Sequence, residues 1–327
     1  MKKIMTFMLA SAALFLSVSC QKEVNPSDLS NADATVTVTV NLPEGINTKA
    51  IADGATVDRV YFEIWSEGFV NKIYSADSAI NEKKATFDFK LVRGVVYSFV
   101  FWACDSDAGI YTWTDLSEIT VNYGDGGGLA GHATGNNESR DAFTGTCTTT
   151  AIAGNETFDV TLKRPFAQLN FGTDDMTGTS VGDITLNSVN IKVYDLATTF
   201  DATTGLGGST TTDVTFVSAG VPTETTLTID SQDYSYLSMN YLLPSNSHSA
   251  TPKVDATFNI TYNTTETENV VHTFASVPVK ANYRTNVVGS LFTAAGKVTT
   301  SVAPAFETPA GQVTVKDDGT VVTTPIS

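Results

Sequence analysis

Residues 34–42, Ala-Thr-Val-Thr-Val-Thr-Val-Asn-Leu, carry an aliphatic side chain at every second position. Val36, Val38, Val40 and Leu42 fall on one face of an extended chain, and Thr35, Thr37, Thr39 and Asn41 fall on the other. Alternation this strict predicts a β-strand with one buried face. The same texture recurs downstream. Strands are predicted at 59–65, 85–91, 157–163, 186–194, 225–229, 236–243 and 254–262, and the runs at 269–279 and 282–293 close the series. The near-continuous apolar run at 95–103 fits a central strand. Turn clusters separate these runs, among them the glycine-rich stretch at 123–131, and no segment has a convincing helical period. Short strands at this spacing predict an antiparallel sandwich with Greek-key connections.

The segment at 163–172, Lys-Arg-Pro-Phe-Ala-Gln-Leu-Asn-Phe-Gly, reads as a junction. Pro165 cannot donate a ladder hydrogen bond, so a strand should pause or change sheet there. The pattern then restarts, which predicts an all-β chain of two antiparallel Greek-key β-sandwich domains in tandem, 50–165 and 166–300. A length of 327 residues suffices for two domains, and 42% hydrophobic residues suffice for a core in each. A tail, 301–327, follows with prolines at 304, 309 and 325. In it Val313 and Val315 lie on one side of an Asp-Asp-Gly bend and Val321 on the other, as expected either for a local hairpin or for an extended strand awaiting a partner.

Charge narrows the partners. The formal net charge is −16, which repels nucleic acid and anionic membrane surfaces. The N-terminus changes the picture more. Lys2 and Lys3 precede an apolar run at 4–18 that is too short to span a bilayer as a mature helix, and Leu-Ser-Val-Ser-Cys at 16–20 resembles a bacterial lipobox. Residues 1–20 are therefore expected to be a lipoprotein signal peptide. Cys20 would be acylated and would hold the precursor on a membrane. Gln-Lys-Glu directly after it resembles surface-export signals of lipoproteins. Cys104 and Cys147 remain, and a disulfide between them is open in an oxidising compartment. Cys104 ends an apolar run and reads as a small buried hydrophobe.

Chemistry is sparse. His132, His248 and His272 lack metal-ligand spacing, and no nucleophile elbow, phosphate loop or dinucleotide fingerprint is present. The acidic turns at 105–109 and 174–178 hold fragments of calcium-loop spacing without the closing Glu. Trp65 and Trp102 lie within strand patterns, leaving Trp113 as the surface candidate for stacking a sugar. The expectation is a protein that is not an enzyme, with no cofactor and no metal.

The organisation as a whole resembles the fimbrillins, subunits of the protease-assembled (type V) pili of Gram-negative gut and oral anaerobes. The likeness rests on the lipobox at Cys20, the alternating first strand, the basic residue in Thr-Lys-Ala at 48–50, two all-β halves and a strand-bearing tail. Arg-Pro-Phe-Ala-Gln-Leu-Asn-Phe at 164–171 and the segment at 282–293 are similar to stretches common in such proteins. The resemblance implies a transthyretin-like sandwich fold and assembly by donor-strand exchange. In that scheme a trypsin-like surface protease removes a propeptide, 21–49, carrying the first strand, here by cutting between Lys49 and Ala50. A strand from the tail of another pilus subunit, here with Val313, Val315 and Val321 as candidates, fills the vacated groove. The implied location is the outer membrane and cell surface, then the fimbria, and the implied role is adhesion. The family's cut typically follows Arg, whereas this chain has Lys49 and its nearest Arg, Arg59, lies in a strand pattern. An uncut anchor or tip subunit, and a surface glycan-binding lipoprotein, are the alternatives.

Overall fold

The structure, a computed structural model, describes residues 29–43, 54–177, 183–222, 226–229, 231–246, 251–262, 266–293, 298–303, 311–315 and 321–325. Among them there is no α-helix, only 3₁₀ turns at Leu29–Asn31 and Glu138–Arg140. The chain opens with β1 (Ala34–Asn41), β2 (Arg59–Ser66), β3 (Asn71–Ala79), β4 (Lys84–Leu91) and β5 (Tyr97–Cys104). Next come β6 (Tyr111–Thr112), β7 (Ile119–Val121), β8 (His132–Thr134), β9 (Ala142–Thr148) and β10 (Glu156–Thr161). After Pro165 follow β11 (Ala167–Thr173), β12 (Ile184–Ala197), β13 (Thr199–Asp201), β14 (Leu206–Gly207) and β15 (Thr211–Ala219). The series ends with β16 (Thr226–Ile229), β17 (Gln232–Leu242), β18 (Val254–Tyr262), β19 (Glu266–Phe274), β20 (Arg284–Gly289), β21 (Val298–Ala303), β22 (Gly311–Val315) and β23 (Val321–Pro325).

These strands form five sheets. A three-stranded sheet, β10-β1-β4, faces a four-stranded one, β3-β2-β5-β9, and their inner faces make one apolar cluster. A second cluster lies between β16-β17-β11-β20-β21-β22-β23 and β19-β18-β12-β15-β8, with the small sheet β14-β13-β7-β6 contributing to it. Strand β5 serves both. Tyr97, Phe99, Phe101 and Ala103 belong to the first cluster, and Val100, Trp102 and Cys104 to the second. All eight of its residues are buried. A strand with two dry faces must be apolar throughout, which is why its sequence runs instead of alternating.

The sheets are mixed, not purely antiparallel. β1 runs parallel to β10, β11 to β20 and β15 to β8. Parallel neighbours need a long crossover, and each of these pairs is separated by several intervening strands that supply it. The β11–β20 pairing joins the two segments singled out in the sequence, aligning Gln168 with Arg284 and Thr173 with Gly289. Asn170 donates to Asn286 Oδ1 at 2.8 Å and accepts from the Tyr236 hydroxyl at 2.7 Å. Just before β11, Arg164 grips the fully buried Asp141 with two hydrogen bonds of 2.8 Å and lies over the Phe143 ring.

The tail begins from a second anchor. One carboxylate oxygen of Asp175 accepts the Phe292 and Thr293 N–H groups at 2.9 and 2.8 Å and the Thr293 hydroxyl at 2.9 Å, while the other accepts the Thr173 hydroxyl. Burial works against this carboxylate, but the bonds together hold its pKa below the ordinary value. The glycine-rich stretch also has a structural account. Gly126 donates to the His132 carbonyl at 2.6 Å, and a Cβ there would meet the Ala133 backbone at 2.6 Å, so only glycine fits.

A candidate strand-exchange groove

The first strand is the middle strand of its sheet. β1 pairs with β4 antiparallel from Ala34↔Leu91 to Asn41↔Lys84, and with β10 parallel from Val36↔Glu156 to Asn41↔Thr161. Its inward side chains Ala34, Val36, Val38, Val40 and Leu42 are at most 5% exposed. Its outward threonines and asparagine are exposed or half-buried, and Thr37 donates to Asp88 Oδ1 at 2.6 Å. Paired residues share a face, so Val38 sits between Phe87 on one side and Phe158 on the other.

The wall facing β1 is aromatic. Phe62 of β2 is the hub, with ring centroids 4.9 Å from Phe87, 5.2 Å from Phe89, 5.6 Å from Phe99 and 5.0 Å from Phe101. Phe158 meets Phe99 edge-on at 5.6 Å. Because neighbouring strands lie about 4.8 Å apart, a sheet without β1 would hold a slot roughly 10 Å wide between β4 and β10. Its lips would be rows of unpaired N–H and C=O groups, and its floor would be phenylalanine. The sequence pointed to the strand and, through the family resemblance, to a groove, but not to the groove's aromatic floor. The alternating Phe87 and Phe89 marked one wall, but Phe62, Phe99 and Phe101 read as generic core because pairing partners cannot be read from spacing.

The other expected residues fall as follows. Cys20, Lys49, Ala50 and His248 lie outside the described residues. Val313 and Val315 lie on β22 and Val321 on β23, which pair as a hairpin, and β22 in turn pairs with β21. Of the two forms expected for this segment, the structure places it as the local hairpin on its own sheet. His132 begins β8, and His272 on β19 contacts the Leu291 carbonyl through Nε2 at 2.7 Å. Among the described residues no three His, Cys, Asp or Glu side chains gather to hold a metal.

Cys104 and Cys147 are both free. Cys104 pairs with Ala142 and Cys147 with Phe99, five residues along the ladder, so the rise per residue keeps the two sulfurs far beyond bonding reach within one chain. The pairing that the sequence left open is thereby excluded within one chain. Burial pushes the Cys104 thiol up to about 12 and raises that of Cys147. Trp65 and Trp102 are 5% and 0% exposed, whereas Trp113 is half-buried.

A model of a family described as "Family of unknown function (DUF6562)" matches residues 28–325. No curated protein matches the chain significantly. Among solved structures, a candidate cell adhesion protein from Bacteroides eggerthii is 12% identical with a TM-score of 0.48, over 84% of this chain and 97% of that one. The C-terminally truncated tip fimbrial protein Mfa3 from Porphyromonas gingivalis is 12% identical with a TM-score of 0.47, over 82% of this chain and 97% of that one. A candidate cell adhesion protein from Bacteroides ovatus is 16% identical with a TM-score of 0.45, over 83% of this chain and 96% of that one.

Proposed function

This chain belongs to the DUF6562 family, whose function is unknown, and from that premise we propose that it is a structural subunit of a cell-surface fimbria, assembled by strand exchange, and not an enzyme. The observation that carries the reading is the position of β1. A strand near the start of the sequence, expected to follow a removable leader, is central in its sheet and buries its whole inward row. An edge strand could leave at little cost. A central strand leaves a groove with two ladders to refill, and that is the geometry in which an incoming strand regains both hydrogen-bond rows and the apolar row together.

The tail supports the same reading. β22 and β23 are five residues each and lie last in their sheet, so a hairpin of this size is marginal on its own. Releasing it should cost less than seating a strand in the phenylalanine groove returns. Val313 and Val315 match two successive inward positions of β1, with Val321 in the same parity beyond Asp-Asp-Gly. In this account the precursor is a lipoprotein acylated at Cys20, carried to the outer membrane and cell surface. A trypsin-like protease cuts between Lys49 and Ala50 and frees 21–49. The proposed body is two Greek-key sandwiches, 50–165 and 166–300, with β6, β7 and β8 of the first stretch pairing into sheets of the second, and the tail 301–327 donates to the next subunit. N-terminal sequencing of the protein recovered from surface polymers tests this. The expected start is Ala50, and polymers that keep an acylated N-terminus at Cys20 would overturn it.

A further inference from the structure

Away from the groove, the loop joining β6 to β7 encloses an open cleft of about 390 Å³, within the size range of small-molecule sites. Trp113 lines it together with the hydroxyls of Thr112, Thr114 and Thr120 and the carboxylates of Asp115 and Glu118. We propose that this cleft is a saccharide-binding site, taking a neutral or amino sugar that stacks on Trp113 and donates hydroxyl hydrogen bonds to Asp115 and Glu118.

The chemistry of the lining selects the ligand. A pyranose presents an apolar C–H face and a rim of hydroxyl donors. An indole ring offers a flat apolar surface with a negative face, and ionised carboxylates are pure acceptors able to take two hydroxyls at once. Glu118 and Asp115 Oδ2 have no protein partner among the described residues, whereas Asp115 Oδ1 accepts from the Ser117 backbone at 3.0 Å and from its hydroxyl. No basic side chain lines the cleft, and the whole chain carries −16. Uronates, sialylated sugars and phosphates are therefore disfavoured, and an ammonium group is welcome.

The loop is also held in shape before any ligand arrives. The buried carboxylate of Glu63 accepts the Leu116 N–H at 3.0 Å, the Trp65 indole N–H at 3.1 Å and Lys72 Nζ at 3.1 Å. Lys72 in turn donates to the Thr114 carbonyl at 3.0 Å. Tyr61 meets the Trp113 ring edge-on with centroids 4.7 Å apart. Buried Glu63 and its partner Lys72 thus fix the backbone at Thr114 and Leu116, directly after the half-exposed indole, and a pre-set site loses less entropy on binding.

Tryptophan emission of the full chain, titrated separately with galactose, N-acetylglucosamine, glucosamine and glucuronate, tests this. Of the three tryptophans Trp65 and Trp102 are buried and Trp113 is half-exposed, so a saturable change reports the cleft. The expected result is saturation by at least one of the first three sugars and none by glucuronate. Calorimetry should show affinity about tenfold weaker or worse in Trp113→Ala, as loss of one stacked ring implies. Glu118→Gln alters only an exposed side chain, and it should weaken binding with the circular dichroism spectrum unchanged. The proposal fails if none of the three binds, if glucuronate binds best, or if both variants bind as the parent does. None of these outcomes depends on whether the subunit polymerises.

Discussion

Deleting residues 21–49 removes β1 and asks how much of the protein rests on it. Three valines and a leucine, each no more than 5% exposed, leave the core with that strand. At roughly 1.5–3 kcal/mol per large aliphatic, their burial contributes about 6–12 kcal/mol. The paired rows that β1 shares with β4 and β10 are lost as well. A domain of this kind is stable by only about 5–15 kcal/mol in total. The shortened chain, beginning at Ala50, should therefore fail to hold its first apolar cluster as a monomer. The comparison is with a chain beginning at residue 21, by urea denaturation at low protein concentration, followed through near-ultraviolet circular dichroism of the phenylalanine-rich core. The shortened chain should lose its near-ultraviolet signal, or recover it only when it associates. A shortened chain that stays monomeric and unfolds within about 2 kcal/mol of the parent would show that the groove is not a groove, and the reasoning from burial would be refuted.

Three further outcomes follow from the same structure. Arg164→Met leaves the fully buried Asp141 without its partner, and calorimetry should show a loss of about 3–5 kcal/mol, whereas a loss below 1 kcal/mol would mean that the pair is not buried as described. Asp175→Ala strands the N–H groups of Phe292 and Thr293 and should cost about 3 kcal/mol near pH 7. Because the folded pKa of Asp175 is depressed, its contribution is complete above the ordinary carboxylate value of about 4 and is lost as pH falls through the lower folded value, so parent and variant should converge in acid. With Cys20 replaced by Ser, a thiol reagent at pH 8 should label Cys147 slowly and leave Cys104 untouched until the protein unfolds, since burial holds the Cys104 thiol near 12.

Where side-chain period and burial coincide, sequence and structure agree closely. The alternation at 34–42 places β1 with its faces the right way round, and 254–262 coincides with β18. The apolar run at 95–103 was legible as a central strand because both of its faces are dry. Strand β3 was not legible, since an edge strand with Lys72, Ser75, Asp77 and Ser78 largely in water has no apolar row to mark it. Strand β11 hid behind Pro165 because Gln168 and Asn170 look like loop residues. Asn170 is buried because it bonds to Asn286 and Tyr236 across the β17–β11–β20 ladders, and Gln168 beside it accepts from the Asn170 amide. The parallel pairings escaped for a related reason: period shows which way a side chain points, never which strand lies beside it. For the groove, the strand that occupies it was legible and the aromatic floor was not. For the cleft, Trp113 stood out in the sequence, but the Glu63 tether depends on contacts between residues more than 40 positions apart.

The central claim is that the vacated groove accepts a tail strand from another copy. The most direct measurement cuts the purified chain at Lys49 and follows multimers on denaturing gels, with the tail intact and with residues 311–327 deleted. The account expects multimers resistant to sodium dodecyl sulfate only from the cut chain with its tail, and their loss again in Val313→Asp/Val315→Asp, where a carboxylate would enter an apolar slot. Multimers of equal resistance from the cut chain lacking its tail, or none from the cut chain that keeps it, would contradict it.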